Sequence, residues 1–351
     1  MKVFLTGIDG YIGSVLAPIL IENGLEVVGL DTGFYRDGWL YNNGYMQFPA
    51  IYNKDIRNIT AKDLQGVDAV VHLAELSNDP LGQLNPKITF KINHLASVAL
   101  ARRAKQAGVK RFVYTSSCSV YGLGDDSYRT EESETNPLTA YSKCKVLVEN
   151  DVGKLADENF SPVFLRNATA YGASPRMRFD LVLNNLSGLA WTTKKIQLIS
   201  DGSPWRPLVH VRDICQAIVT VLNSPQPKVH NQIFNVGDTN ENFTVREIAQ
   251  TVSDTNPGCE LIVGESDGDN RSYRVSFDKI HETFPEFQCK YKVSDGAAEL
   301  HNVFERLIMT ENIFQFRPFT RIKQLKYLLN SKQIDNDLFW VKQADGLSTG
   351  N

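Results

Sequence analysis

Short runs of apolar residues recur along the first half of the chain, at Lys2–Thr6, Glu26–Leu30, Ala69–Leu73, Arg111–Ser116 and Val163–Arg166. Each is too short for a stable helix and nearly continuous in apolar side chains, the pattern of a strand covered on both faces. Between them, apolar positions repeat with a helical period over Ile12–Asn23, Lys87–Ala107 and Ala140–Glu158. Strands alternating with helices predict an α/β fold. Its sheet is parallel and doubly wound by right-handed crossovers, with a site at the carboxyl ends of the strands.

Past Tyr171 the texture changes. Proline, glycine, tryptophan and arginine punctuate Gly172–Pro207. Helices are predicted at Phe179–Thr192, at Asp213–Leu222 with Asp213 as its cap, at Thr244–Ser253 and at Ala297–Met309. Thr244 and Glu247 have the spacing of a capping box. These pieces suggest a smaller α/β lobe over the mouth of the first unit. The division expected is residues 1–172 for the first domain and 173–343 for the lobe, with the chain returning to the sheet near 205–240. Residues 344–351 are expected to fray.

The turn after the first strand carries Gly7, Gly10 and Gly13 in TGIDGYIG, directly before a helix. Glycines permit a tight turn and close backbone approach, and the N–H groups of a helix start favour an anion. The spacing is a variant of the dinucleotide-binding fingerprint of a Rossmann-type sheet. Gly7, Gly10, Tyr11, Ile12 and Gly13 are therefore candidate cofactor contacts. The second strand ends in Asp31, placed to accept hydrogen bonds from an adenosine ribose and to repel a 2′-phosphate, which points to NAD(H) rather than NADP(H). Asp55 and Ile56, after an aromatic segment, are candidates for covering the adenine.

Tyr141 and Lys145 lie four apart in a helical pattern and share one face. An ammonium there favours the phenolate and lowers the tyrosine pKa toward neutrality, making it an acid/base; the same lysine is placed to hold ribose hydroxyls. Ser117 follows a strand end rich in hydroxyls, where it can hydrogen-bond a substrate oxygen.

With these residues in hand, the chain resembles the extended short-chain dehydrogenases/reductases, the NAD-dependent nucleotide-sugar epimerases and dehydratases. The resemblance covers residues 2–285 and is carried by TGIDGYIG at 6–13, HLAE at 72–75, SSCSVYG at 116–122, YSKCK at 141–145 and SPWRPLVHVRD at 203–213. It implies NAD as cofactor and a nucleotide-diphosphate sugar as substrate. Tyr141 becomes the general acid/base, Ser117 the residue aligning the sugar oxygen, and Lys145 the ribose ligand. Leu73 and Ala74 line the cofactor, and Asn93 supports it. Candidate substrate contacts are Ser77, Ser117, Thr169, Asn184, Arg206 and Arg271, with Arg206 clamping the diphosphate. Asn185 is a further nucleotide candidate. Thr169 stands where many relatives carry asparagine, and Arg271 replaces an arginine missing at Glu265–Asp267.

Departures from the family pattern narrow the reaction. The dehydratases and UDP-glucuronate decarboxylases carry an acid after the catalytic hydroxyl; here Cys118 and Ser119 occupy those positions. Cys118 is expected to be a small buried residue. The position of a histidine acid in other relatives falls at Ser174. The expected activity is 4-epimerisation through transient oxidation at sugar C4. An NADH-dependent 4-keto-sugar reductase is the alternative, followed by a 4,6-dehydratase and then a non-catalytic NAD-binding scaffold. By the same resemblance the chain is expected to be a homodimer, for which Val98, Leu100, Val146 and Val148 offer apolar positions. Residues 313–340 exceed the family core and are assigned a packing or dimer-supporting role.

Charge and composition remove other classes. Net charge is −3 with no long basic run, which excludes nucleic acid as the main partner. Five cysteines without a C-x-x-C pair describe a reduced intracellular protein and suggest no metal site. No stretch approaches the roughly 18 apolar residues of a membrane span, so a cytoplasmic location without membrane attachment is expected.

Overall fold

Apolar strands of the kind described must bury both faces, and they do so in one parallel sheet. The computed structural model describes residues 1–42, 44, 49–265 and 271–341. Among these the central sheet contains β1 (Lys2–Thr6), β2 (Glu26–Asp31), β3 (Ala50–Asn53), β4 (Ala69–His72), β5 (Arg111–Ser117), β6 (Ser161–Asn167) and β7 (Gln232–Val236). Their order is β7-β6-β5-β4-β1-β2-β3, every pairing parallel. The order reverses between β1 and β4, and a crevice opens at their carboxyl ends, where such sheets place a ligand.

Successive strand residues point to opposite faces. Val3, Leu5, Val71, Val113 and Val163 face α1 (Gly13–Glu22) in one core. Phe4, Val70, Phe112 and Phe164 face α2 (Ser97–Gln106) and α3 (Ala140–Gly153) in the other. The predicted Lys87–Ala107 helix is interrupted by a wide π-type turn over Phe90–Ala96, which hydrophobic periodicity alone does not reveal. A short helix at Asp79–Leu84 was not foreseen, although its Asn78 cap and Pro80 are the expected start signals.

Past β6 the chain forms α4 (Val182–Thr193), α5 (Val211–Asn223), which packs back on α1 and β5, α6 (Val245–Thr255), α7 (Val293–Arg306) and small sheets, one of which sets Trp205–His210 between Thr169–Tyr171 and Asn242–Thr244. The capping box of α6 forms as expected, with the Thr244 hydroxyl accepting from Glu247 N. The cap of α5 differs: His210 accepts from Arg212 N, while the Asp213 carboxylate accepts from Lys290 N and Tyr291 N. Asp213 therefore anchors a loop.

The C-terminal stretch packs against both parts. Phe314 lies 4.8 Å and Phe319 5.8 Å from Phe179, ring to ring. The last helix, α8 (Arg321–Asn330), buries Leu325 and Leu328 in the core beneath Phe4 and Leu30. Val98, Leu100 and Val148 are also buried within this chain, so they offer no face to a second copy. Residues 266–270, part of the run around Asp267, and 342–351, which include the expected tail, lie outside the described residues.

A buried polar network fastens α3 to the sheet. Glu149 accepts from Ser116 Oγ at 2.5 Å and pairs with Arg166 at 2.7 Å. Arg166 also donates to the Tyr121 hydroxyl at 3.0 Å, which donates to Asn235 of β7 at 2.8 Å. Removing one charge of such a pair strands the other in a dry interior. Glu149→Gln is expected to lower stability by about 3 kcal/mol or more, read as a lower urea midpoint at an unchanged m-value; an unshifted midpoint would show the network to be dispensable.

Candidate active site

The crevice is a cavity of roughly 530 Å³ at the carboxyl ends of β1, β2, β4, β5 and β6. Its floor is set by glycine. Gly7 has φ +72°, and a Cβ on it would sit 2.9 Å from Ala74 N; a Cβ on Gly13 would meet Gly7 O at 2.2 Å. Only glycine lets the first turn press against the Leu73–Ala74 backbone while α1 starts beside it. Thr6 and His72, paired in register, lock that turn. The Thr6 hydroxyl accepts from Leu73 N and Ala74 N, so its own proton goes to His72 Nδ1 at 2.7 Å, and His72 Nε2–H donates to Ser97 Oγ at 2.8 Å. Burial lowers the His72 pKa to about 3, and the ring stays neutral as a structural link.

At the end of β2 the Asp31 carboxylate accepts from Gly33 N at 2.8 Å and Asp9 N at 3.1 Å. One amide per oxygen leaves lone pairs for a further donor such as a ribose hydroxyl. Asp55 and Ile56 line the same end, though the Asp55 carboxylate is held by Arg57 at 2.7 Å.

The chemical end is organised by α3. Its Thr139 cap accepts from Ser142 N at 3.2 Å and donates to Asp79, which also forms an ion pair with Arg271. Gly82 of the unforeseen helix packs on Tyr141, where a Cβ would lie 3.1 Å from the tyrosine Cβ. Tyr141, Lys145 and Ser117 all face the cavity. Ser117 Oγ accepts from Ser119 N at 3.1 Å, which leaves its proton free to donate.

Lys145 is not the isolated cation the Y-x-x-x-K spacing suggests. Its ammonium is buried, pairs with Glu75 at 2.5 Å and donates to Thr115 O at 2.5 Å; Glu75 in turn accepts from the Tyr114 hydroxyl at 2.6 Å. Burial pushes the Tyr141 pKa up, Lys145 pulls it down, and the Glu75 charge pushes it up again. The net direction is upward, opposite to the expectation from spacing. Burial likewise raises the Glu75 pKa, partly offset by Lys145.

Leu73, Ala74, Ser77, Thr169, Arg206 and Arg271 line the cavity as expected, together with the glycine-loop residues Gly10, Tyr11 and Ile12. Three candidates do not. Asn184 is fully buried, accepting from Gly172 N and donating to Arg178 O and the Tyr11 hydroxyl, so its amide is consumed by the fold. Asn93 is also buried and bonds both backbone groups of Leu76, shaping the cavity wall from behind. Asn185 donates to Phe179 O. Cys118 is buried, with its thiol directed to Arg166 O, as expected of a small core residue.

Several lining residues were not anticipated: Glu75, Asp79, Asn167, Arg321 and the Arg178–Asp180 pair, 3.0 Å apart. Ser119 and Asn167 line the cavity, and their buried Oγ and Oδ1 atoms have no hydrogen-bond partner among the described residues. Orphaned polar atoms of this kind call for a polar ligand. Together with the glycine turn and the half-satisfied Asp31, they fit a dinucleotide and a second polar molecule beside it.

A family model described as the NAD-dependent epimerase/dehydratase family matches residues 3–237. The chain is 30% identical to UDP-glucose 4-epimerase of Mycolicibacterium smegmatis, over 72% of this chain and 82% of that one. It is 25% identical to human dTDP-D-glucose 4,6-dehydratase over 80% and 83% of the two chains. The solved structure of MoeE5 with UDP-glucose and NAD superposes with a TM-score of 0.76, at 24% identity, covering 88% of this chain and all (100%) of that one. The glycine turn, the acid ending β2 and the Ser–Tyr–Lys set thus stand in a chain that belongs to the NAD-dependent epimerase/dehydratase family of extended short-chain dehydrogenases/reductases.

Proposed function

We propose that the protein is a nucleotide-sugar 4-epimerase. One observation carries this: Ser117 and Tyr141 share a cavity with the glycine turn, while the two positions after Ser117 hold a buried thiol and a neutral hydroxyl. The relatives include both epimerases and dehydratases. By the family resemblance, the 4,6-dehydratases eliminate with a carboxylic acid directly after the hydroxyl residue, and Cys118 and Ser119 supply none.

The bound dinucleotide supplies a reversible hydride acceptor at the sugar carbon. Gly7, Gly10, Tyr11, Ile12 and Gly13 would hold its pyrophosphate, Asp31 its adenosine ribose, and Asp55 with Ile56 the adenine edge. Leu73 and Ala74 would line it, and Lys145 would face the second ribose. Ser117 donates a hydrogen bond to the C4 oxygen and aligns it. Tyr141 takes the C4 hydroxyl proton in the oxidising half and returns it after the ketone presents its other face, so no net redox change occurs. The upward shift of the Tyr141 pKa favours the phenol that serves the reducing half, whereas the oxidising half needs the phenolate, the form that the Lys145 charge favours. Arg206 and Arg271, which line the cavity, would receive the diphosphate, and Ser77 and Thr169 would contact the sugar. A 4-keto-sugar reductase uses the same groups, and the same upward pKa suits its single protonation step.

Incubation with UDP-, dTDP-, GDP- and CDP-hexoses is expected to give a C4 epimer from at least one, without NADH consumption. Stoichiometric NADH loss with a keto-sugar would assign the reductase instead. Tyr141→Phe is expected to retain cofactor while kcat falls at least about a hundredfold, the usual scale of an acid/base contribution. Glu75→Gln removes a charge that raises the Tyr141 pKa, so the kcat/KM limb reporting Tyr141 is expected to move to lower pH. A stationary limb would uncouple the two residues.

A further inference from the structure

Arg321 opens α8, in the stretch to which the sequence assigned no chemistry. Bonds tie this stretch to the loop after β2: Gln324 Nε2 donates to Phe34 O at 2.8 Å, Trp340 Nε1 to Thr32 O at 2.7 Å, and Arg317 to Asp37 at 2.7 Å. The Arg321 side chain is only 3% exposed, yet it lines the cavity. Its guanidinium lies 4.2 Å from the centre of the Tyr35 ring and donates to Pro318 O at 2.9 Å, with a long 3.4 Å bond to Arg176 O.

No carboxylate among the described residues forms an ion pair with it. The acids whose charges reach it are Asp180 and Asp31. Asp180 pairs with Arg178, and Asp31, with one backbone amide on each oxygen, makes no ion pair with Arg321 among the described residues. Burial, reinforced by Arg178, lowers its pKa to about 10, which leaves the guanidinium charged at neutral pH. A buried cation without a counter-ion is strongly unfavourable, and a guanidinium fork matches phosphate oxygens in pairs.

We propose that Arg321 is the counter-charge to the pyrophosphate of the dinucleotide, so that the C-terminal segment completes the cofactor site. The inference rests on the family's NAD dependence and is independent of whether the reaction is epimerisation or reduction. The diphosphate of a sugar nucleotide shares the chemistry, but two other arginines line the cavity: Arg271, paired with Asp79, and Arg206, which donates to Arg271 O.

The test uses full-length Arg321→Gln and Arg321→Lys. NAD content after purification is measured, with affinities for NADH, adenosine and UDP. For Arg321→Gln we expect depleted NAD and NADH binding weakened about tenfold or more, the scale of a lost charge-assisted hydrogen bond. Adenosine and UDP should bind as in the parent, and Arg321→Lys should show a smaller NADH loss. If the glutamine variant does not fold, the lysine variant reads the same NADH-to-adenosine ratio. An unchanged ratio, or a loss falling on UDP instead, overturns the assignment.

Discussion

A lysine ammonium with almost no access to water sits at the end of β5, and the site is arranged around satisfying it. Taking a charge out of solvent is costly unless a partner and further hydrogen bonds replace the water. Glu75, arriving from β4, and the Thr115 carbonyl of β5 do so. Because Lys145 belongs to α3, meeting these partners fixes the helix against the sheet, and Tyr141 one turn earlier is fixed with it. Gly82 removes the side chain that would otherwise push Tyr141 away, and Asp79 ties the helix cap to the opposite wall through Arg271. The position of the phenol is thus decided by electrostatics and by close packing together.

The parts legible in the amino-acid order are those in which chemistry and backbone geometry sit within a few residues of each other. Gly7 and Gly13 announce a turn because no other residue tolerates the contacts there, and Asp31 is recognisable as the residue ending an apolar strand. Tyr141 and Lys145 share a helix face by simple spacing. Strands rich in valine and phenylalanine identify themselves by their continuity. The Thr244–Glu247 capping box is local by nature and forms as written.

What could not be read depends on partners distant in the chain. Glu75 is visible in HLAE, but its pairing with Lys145 requires β4 and β5 to be neighbours, and that pairing reverses the expected direction for the Tyr141 pKa. Asn184 has the chemistry of a ligand and spends it on Gly172, Arg178 and Tyr11, a distinction set by which face of α4 turns inward. The edge strand β3 is exposed along its whole length and so carries no apolar alternation to betray it. β7 is only five residues long and lies between polar segments. Arg321 belongs to a basic, weakly patterned helix whose significance appears only once it lies against Phe34 and Tyr35.

The membership of β7 in the sheet carries a consequence for the order of assembly. Residues 2–167 contain six neighbouring strands, but the outer edge of β6 stays unpaired until Gln232–Val236 has been made and has folded back across the intervening stretch. An open parallel edge is a template for mispairing, and closing it over so long a stretch of chain is slow. The buried Tyr121–Asn235 bond forms in the same event. During synthesis, therefore, the dinucleotide half can take shape early while its exposed flank waits for the rest of the polypeptide, making that interval the vulnerable one for aggregation.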